Sequence, residues 1–509
     1  MQKLSNTEYL KLNKLKRIWY KLLVFIFAIP SWFVDKFKKI GRFFKKLGLG
    51  IVNEFIDIGQ TFKNGDWKTR TSFFIMGFGS IARKQIGRGI LFLLTEVVFI
   101  VYMIVAGGYW LSMLPSLGKQ GPQEIFNEEL GITITVYGDN SFKILLYGVL
   151  TIFFIIGFIY TWRVNVKQNK IAQEILSNGK LLKGTKDDLR SLVDENFHKT
   201  LLALPTLGMT IFTILPIIFM ILVAFTNYDG THDGYNNNLF HWVGLDNFNT
   251  LLNFTNGSNT YSIAFGEVLA WTLIWAFFAT FTNYFLGMIV AMIINKKGIK
   301  LKKLWRTILV ITIAVPQFIS LLYIKQIFEK NGIFNQLLLW MHFIEQPIDF
   351  WGNPNLARVL VILINIWVGI PYLMLIATGI LMNIPQDLYE SAKIDGANIW
   401  QQYFKITLPY MLFITGPYLL TSFTSNINNF NIIYLLTAGG PTDPDLSGAA
   451  GSVGNTDLLI TWLFKITTGA DSKYYMASVI AIMVFVVIAV ISLIIYGLMP
   501  SVKNEEDFQ

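Results

Sequence analysis

The amino-acid sequence predicts an all-α protein that crosses a membrane about eight times. Of its 509 residues, 53% are hydrophobic and only 15% are charged, so the chain has more apolar surface than one soluble core could bury. Eight stretches supply the roughly 20 mostly apolar residues that a helix needs to cross about 30 Å of hydrocarbon. The segments that connect them alternate in charge, as is typical of polytopic membrane proteins.

The connections between the predicted spans also indicate a topology. Residues 163–199 and the loop 296–303 are basic, whereas residues 227–262 contain no Lys or Arg. Because basic loops stay on the cytoplasmic side, both termini are expected in the cytoplasm. The spans are predicted at 90–114, 144–162, 204–225, 268–294, 305–327, 357–382, 409–436 and 475–498.

A basic region precedes the first span. Its segments Lys-Phe-Lys-Lys at 36–39 and Arg-Phe-Phe-Lys-Lys at 42–46 alternate bases with aromatic residues, a pattern typical of helices that lie on an anionic membrane surface. In a solvated basic tail, the alternative, the phenylalanines would lack apolar partners. Nucleic acid is not expected as a partner, because only the net charge of +10 favours it. The predicted regions are a basic amphipathic region at 1–88, two spans at 89–200, a six-span core at 201–500 and a cytoplasmic tail at 501–509.

Several kinds of chemistry have no sequence support. The chain has no cysteine and only four histidines, which are scattered without metal-ligand spacing. The phosphate-binding Gly-x-x-x-x-Gly-Lys-Ser/Thr loop is absent. No metal, cofactor or catalytic residue is therefore predicted, and the chain is not expected to hydrolyse ATP. Any energy for transport would come from an ion gradient or from a partner.

The connection at 384–409 contains the most specific motif. Its first part reads as a short helix, because Pro385 suits a first turn and Asp387 and Glu390 favour the positive end of the helix dipole. Gly396 permits the left-handed turn that ends such a helix. The apolar face is too small to form a core alone, so a partner outside the membrane is expected to cover it.

This connection resembles the EAA loop in permease subunits of binding-protein-dependent ABC importers. The match holds at Glu390, Ala392, Gly396, Ile406, Leu408 and Pro409, with Ser391 in place of the first alanine. In that family the loop forms the coupling helix that docks onto an ATPase. The resemblance therefore implies ATPase coupling by Glu390, Ser391, Ala392, Asp395, Gly396, Ile406, Leu408 and Pro409.

Further segments resemble the maltose/maltodextrin permeases of the MalF type, in the same order and spacing. They lie at 203–228, 243–248, 315–320 and 435–441, and the similarity covers residues 202–498. It implies the type I ABC importer (MetI-like) permease fold. The large external domain of the Gram-negative relative is missing here. Only about three dozen residues separate the third span from the fourth, which is too few for an independent domain. Contacts of a binding protein with that domain are therefore not implied here.

The resemblance also implies partners and a location. It predicts a second, MalG-like permease, two copies of an ABC ATPase that bind the ATP, and an extracellular sugar-binding lipoprotein. The cargo would be an oligosaccharide, and the location the bacterial cell membrane. Maltodextrins, galactosides and other mixed oligosaccharides all remain open as cargo, because hydrogen-bonding residues do not distinguish epimers without geometry.

The seventh predicted span contains an unusual polar cluster, Thr421 to Phe430. Ser422, Ser425, Asn426 and Asn429 fall at spacings of three and four, so they are expected to share one helix face. A neutral sugar needs such uncharged donors and acceptors, together with aromatic rings. The alternative is hydrogen bonding between helices without a ligand. The resemblance places sugar contacts at Val368, Gly369, Tyr372, Ser422, Ser425, Asn426 and Asn429, with Ser425 replacing an aromatic residue of the family.

Two acidic residues lie within or beside predicted spans. For Glu96 we expect an interior partner or a protonated form, and for Glu267 an interfacial position that reaches water. An ion-coupled secondary sugar transporter would need an inverted repeat and an intramembrane charge pair, which the sequence does not show. A membrane enzyme such as a glycosyltransferase would need clustered acids at one membrane face. Neither alternative explains the motif at Glu390.

Overall fold

The computed structural model describes residues 14–128, 131–254, 260–296, 298–448, 450–469 and 472–498. The predicted tail at 501–509 and the first residues of the basic region lie outside the described residues. Within them, seven helices are long and apolar enough to cross a membrane, or eight if a bent pair counts as one span. The predicted all-α, polytopic fold is confirmed. A two-stranded antiparallel sheet joins the first two spans, with β1 (Gln123–Asn127) paired to β2 (Ile132–Val136).

The elements follow the chain in a simple order. Spans 1 to 8 are Ile86–Met113, Ser141–Ser177, Phe197–Val223, Thr260–Asn295, the bent pair Lys302–Ala314 with Gln317–Ile327, Pro354–Leu381, Ile399–Thr437 and Tyr474–Gly497. The remaining helices are α1 (Lys14–Asn64), α2 (Trp67–Thr71), α3 (Phe78–Ile81), α4 (Thr185–Val193), α5 (Asp246–Leu252), α6 (Ile333–Trp340), α7 (Gln386–Ile394) and α8 (Leu459–Thr468).

Span 5 differs from the single helix predicted at 305–327. Its two halves meet at an angle of 93°. Val315 is extended and Pro316 has ψ 126°, because proline lacks an N–H group and disfavours helical geometry in the residue before it. The sequence contained this signal, but the length and apolarity of the stretch led to the wrong prediction of a straight span.

Span 7 also departs from the prediction, which placed it at 409–436. It begins at Ile399 and includes a π-helical turn at Tyr403–Thr407. Its main helix ends at Ile427, and a new helix begins at Phe430. Asparagine side chains bond readily to nearby backbone groups and so compete with the helix, which explains a break at a pair of asparagines.

The chain forms two compact units. One comprises Met1–Tyr109 and Leu150–Met209, and the other Trp110–Val149 and Thr210–Gln509. These units are defined by which residues pack together. The regions predicted from the sequence were instead consecutive stretches of the chain, so the two divisions have different boundaries. In the second unit, span 4 lies at the centre of the core and packs against spans 6 and 7. A Cβ atom on Gly287 would lie 2.6 Å from the Leu373 Cβ atom, so glycine allows spans 4 and 6 to approach closely.

A buried arginine organises the first unit. The Arg83 side chain is 1% exposed and forms an ion pair with Asp66 at 2.6 Å. It also donates to the Asn169 Oδ1 atom at 2.8 Å and so binds the segment before span 1 to span 2. Burial alone would raise the pKa of Asp66, but hydrogen bonds from Thr69 and the Arg83 charge hold it below its ordinary value.

Glu96 has the interior partner that was expected. Its Oε2 atom accepts a hydrogen bond from the Met76 backbone N–H at 2.8 Å. The carboxylate therefore satisfies a backbone donor that would otherwise be unpaired. This contact gives Glu96 a structural role in the first unit.

Candidate functional site

The motif at 384–409 begins with a helix, as predicted. α7 ends at Ile394, and the turn that follows contains Gly396, whose φ is +76°. The Gly396 N–H donates to the Lys393 carbonyl at 3.0 Å, and the Ala397 N–H donates to the Ala392 carbonyl at 2.8 Å. These bonds satisfy carbonyls at the end of the helix. The predicted left-handed turn is therefore confirmed.

One face of α7 is exposed, and the opposite face is bound to span 7. Leu388 is 48% exposed and Ile394 is 86% exposed, and Glu390 is exposed beside them. Tyr389 is half-buried, and its hydroxyl lies 2.8 Å from the Thr407 Oγ1 atom. Thr407 ends the π-helical turn of span 7. α7 thus offers an exposed surface while it is hydrogen-bonded to a membrane-spanning helix.

The predicted coupling residues divide by exposure. Five of the eight are exposed, and three are half-buried. Exposed residues are Glu390, Ser391, Asp395, Gly396 and Pro409; half-buried residues are Ala392, Ile406 and Leu408.

Part of the predicted sugar-binding set lies beside aromatic rings. Ser422 follows Tyr418 by one turn on span 7, so the two side chains lie on one helix face. Tyr372 of span 6 is 53% exposed. Ser425 is exposed. This part of the set offers hydroxyl groups together with two aromatic rings, a combination that suits a sugar.

The asparagines of span 7 contact span 4. The Asn426 Nδ2 atom donates to the Thr280 Oγ1 atom at 3.0 Å, and the Asn426 carbonyl accepts from the Trp275 indole N–H at 3.0 Å. The predicted common face is only partly correct, because the break after Ile427 places Asn429 at the start of the next helix. Asn429 nevertheless remains adjacent, since its Nδ2 atom donates to the Asn426 Oδ1 atom at 3.3 Å.

Gly369 lies against span 4. A Cβ atom at this position would be 2.4 Å from the Asn283 Nδ2 atom, so only glycine fits without a shift. Val368 packs against the main core. Asn283 is 5% exposed, and its Nδ2 atom donates to the Ala279 carbonyl at 2.8 Å and to the Asn365 carbonyl at 3.4 Å.

Sequence reasoning missed three residues of this region, Thr280 and Asn283 of span 4 and Tyr418 of span 7. Thr280 and Asn283 are three residues apart and hence lie on one helix face, which was a usable signal. Spans 4, 6 and 7 bring together four uncharged polar residues here, Thr280, Asn283, Asn365 and Asn426. Across the part of the chain that the structure describes, no group of three His, Asp or Glu residues could hold a metal ion.

A charged pocket lies at the start of spans 4 and 6. The Arg358 guanidinium stacks over the Trp271 ring at 4.9 Å, and its Nε atom donates to the Asn455 carbonyl at 2.7 Å. Glu267 is exposed, as expected, and lines the same pocket. The sequence showed no charge pair within the spans, whereas the structure places Arg358 and Glu267 in one pocket.

The irregular segment after span 7 is anchored by a buried ion pair. The Asp457 side chain is fully buried, and its Oδ2 atom lies 2.6 Å from the Lys465 Nζ atom. Gly454 N–H and Thr461 Oγ1 also donate to Asp457. Burial raises the pKa of Asp457 and outweighs the opposing charge of Lys465. These contacts fix the part of this segment that contains Gly454 and Asp457 against α8.

Comparison with known proteins assigns the family. Residues 283–504 match the model for "Binding-protein-dependent transport system inner membrane component". The Streptococcus pneumoniae protein named maltodextrin transport system permease protein MalC is 33% identical over 440 residues, covering 85% of this chain and 95% of that protein. The chain belongs to this permease family.

Two other relatives show the breadth of the similarity. The Bacillus subtilis protein named galactooligosaccharides transport system permease protein GanP is 32% identical, covering 85% of this chain and 97% of that protein. The Salmonella typhimurium maltose/maltodextrin permease MalF is 34% identical, covering 45% of this chain and 44% of that protein. Among solved structures, an ABC transporter involved in alginate import aligns with a TM-score of 0.47 and 21% identity, covering 64% of this chain and 99% of that chain.

Proposed function

We propose that this chain is the membrane-spanning permease subunit of an ATP-driven importer for neutral oligosaccharides of the maltodextrin type. A neutral strip of polar and aromatic residues on spans 4, 6 and 7 supports this function most directly. It comprises Thr280, Asn283, Tyr372, Tyr418, Ser422 and Asn426. The strip combines amides, hydroxyls and aromatic rings without a fixed charge, as a neutral sugar requires. The name of MalC supports maltodextrins, and the name of GanP supports galactooligosaccharides as the alternative cargo.

The importer would contain several further proteins. A second, MalG-like permease would complete the path, two ABC ATPases would bind and hydrolyse ATP, and an extracellular sugar-binding lipoprotein would deliver the cargo. The exposed Leu388 and Ile394 of α7 fit an ATPase groove, since an uncovered apolar surface of this kind marks an interaction site. With α7 and both termini in the cytoplasm, the loops around residues 121, 246, 332 and 441 face outside.

The contacts of α7 suggest how ATP binding reaches the sugar path. An ATPase that closes would displace α7, and the hydrogen bond between Tyr389 and Thr407 joins α7 to span 7. Span 7 carries Asn426, which is bonded to Thr280 of span 4. A shift of span 7 would therefore break or re-form contacts along the neutral strip, which is the change that opening a path requires.

Reconstitution tests this function. The purified importer would be placed in vesicles with ATP on the ATPase side, and uptake of radiolabelled maltotriose would be measured with and without the binding protein. Uptake that needs both ATP and the binding protein is the expected result. Uptake that follows an ion gradient without ATP would overturn the proposal. Competition by an unlabelled galactooligosaccharide would decide between the two cargo classes.

Membrane lipid is a further proposed partner, bound by α1. This helix has 51 residues. Phe44, Leu47, Ile51 and Phe55 follow one another at spacings of three and four, so they form one stripe, and each is about half exposed or more. Such a stripe suits the boundary between headgroups and acyl chains.

The charges of α1 favour an anionic lipid surface. Its acidic residues Glu54 and Asp57 form ion pairs with Arg163 and Lys170 of span 2. The hydrogen bond from Arg163 also holds the pKa of Glu54 below its ordinary value. Glu54 and Asp57, two of the three acidic residues of α1, are thus neutralised within the chain. The bases of segment 42–46 remain available to anionic lipid.

The absence of cysteine allows a direct test of this lipid contact. A fluorophore on Phe55→Cys would be quenched by lipid-borne quenchers, whereas one on Gln60→Cys, away from the stripe, would be quenched from water. Equal quenching from water at both positions would refute lipid contact. Protection of Phe55→Cys from both quenchers in the assembled importer would show a protein partner instead.

A further inference from the structure

Span 4 brings two neutral polar side chains against the positions predicted to bind sugar. Thr280 accepts the amide of Asn426 at 3.0 Å, and Asn283 lies against Gly369. Neither residue of span 4 belongs to the predicted sugar-binding set. Asn426 and Gly369, which do belong to that set, are therefore both covered by one face of span 4 in this conformation.

Asn283 carries an acceptor without a partner. Among the residues that the structure describes, no donor reaches its Oδ1 atom, although the residue is 95% buried, since 5% is exposed. The neighbouring Asn365 of span 6 has the complementary feature, because its buried Nδ2 atom has no acceptor there. A buried polar atom without a hydrogen bond is costly, and the cost is not relieved by water inside a bilayer.

We propose that span 4 forms a third wall of the sugar path, in which the Asn283 Oδ1 atom accepts a hydrogen bond from a hydroxyl of the passing oligosaccharide. A hydroxyl can donate without bringing a charge into the membrane. The neutral surroundings of Asn283 suit this donor better than an ammonium or guanidinium group. This inference rests on the proposed transport of neutral oligosaccharides.

Asn295, on the same span, shows what a purely structural amide looks like. Its Nδ2 atom donates to the Ala291 carbonyl at 2.7 Å and to the Thr378 Oγ1 atom of span 6 at 3.2 Å. Its Oδ1 atom accepts from Arg306. Asn295 also joins spans 4 and 6, but both of its polar atoms are paired. It therefore provides a matched control for Asn283.

The two roles predict opposite combinations of stability and binding. Asn283→Leu removes an unpaired acceptor together with the bonds that Nδ2 donates to two carbonyls. The thermal unfolding midpoint of the purified importer should therefore fall less than in Asn295→Leu, which loses bonds at both polar atoms. The dissociation constant of Asn283→Leu for radiolabelled maltotriose, measured by equilibrium dialysis, should rise about three- to tenfold, the usual effect of one lost hydrogen bond. Asn295→Leu should lower the midpoint and leave the dissociation constant unchanged. Asn283→Ala is the second variant if leucine prevents folding.

Deoxy analogues of the sugar identify the hydrogen bond itself. The wild-type importer should bind one monodeoxy maltotriose more weakly than the others. That analogue lacks the hydroxyl that donates to the Asn283 Oδ1 atom, so it leaves the acceptor unpaired. Asn283→Leu should lose that discrimination and keep the others. Unchanged binding and unchanged discrimination in the variants would overturn the role of Asn283. Absence of ATP-driven uptake in the wild type would instead overturn the proposed function, so the two failures are distinguishable.

Discussion

Replacing Gly396 with alanine tests whether the left-handed turn of α7 is needed for ATPase docking. Gly396 has φ +76°, and no atom outside its own neighbours lies within 4 Å of an added Cβ atom. The substitution therefore adds backbone strain without a packing clash. The two hydrogen bonds that end α7 depend on this backbone conformation.

The strain has a predictable size. An L-residue with a side chain is disfavoured in the left-handed helical region by about 1 to 2 kcal/mol. That free energy corresponds to a population change of about five- to thirtyfold. If the ATPase binds only the native turn, its apparent affinity falls by up to this factor. Overall stability should change little, because the turn is exposed.

Co-purification in mild detergent, followed by titration of the ATPase onto the isolated permease pair, measures this effect. Gly244→Ala is the matched control, because Gly244 has φ +62° and equally open surroundings in a segment predicted to lie outside. Asparagine tolerates this conformation better, so Gly396→Asn should recover much of the affinity. Equal weakening by Gly244→Ala and Gly396→Ala would refute the reasoning, since strain at a distant glycine should not affect docking.

Three further predictions follow from individual contacts. Lys465→Met leaves the buried Asp457 charge without its partner and should cost about 3 to 5 kcal/mol of stability, measured by thermal unfolding; an unchanged midpoint would contradict the buried pair. Glu96→Leu should cost about 1 to 3 kcal/mol, because the Met76 N–H loses its acceptor, whereas Glu96→Gln should be nearly neutral; equal losses would point to a role for the charge. Burial would raise the pKa of Asp233, but backbone N–H donors hold it below its ordinary value. Its contribution to stability is thus present above the ordinary value and lost as pH falls through the folded pKa, so amide exchange of the surrounding segment should accelerate in acid in the wild type but not in Asp233→Asn.

Sequence patterns predicted elements whose physical cause is local. α7 and its end at Gly396 follow from a dipole-compatible first turn and a glycine at the left-handed position. Apolar length alone located the membrane helices. The effect of a single residue on the backbone is small compared with the apolar character of a whole span. The bend at Pro316 and the break after Ile427 were missed for this reason.

The uncharged residues of spans 4, 6 and 7 show where sequence reasoning reaches its limit. Helical spacing correctly grouped Ser422 with Asn426, because both belong to one uninterrupted helix. It could not show that Asn426 meets Thr280, since that contact depends on how spans 4 and 7 pack. The same is true of Arg358 and Asn455, which are far apart in sequence and meet through a backbone carbonyl.

The two irregularities of span 7 bear on how force is transmitted. Between the π-helical turn at Tyr403–Thr407 and the break after Ile427 lies one helix, Leu408–Ile427, of 20 residues. At 1.5 Å per residue it is about 30 Å long, so it can act as a lever with one end at the Tyr389 contact and the other at Asn426. π-helical turns and breaks are the points where a helix bends most readily. A disulfide introduced across the π-helical turn should therefore block uptake while leaving maltotriose binding intact, and full uptake by the cross-linked protein would exclude this helix as the coupling element.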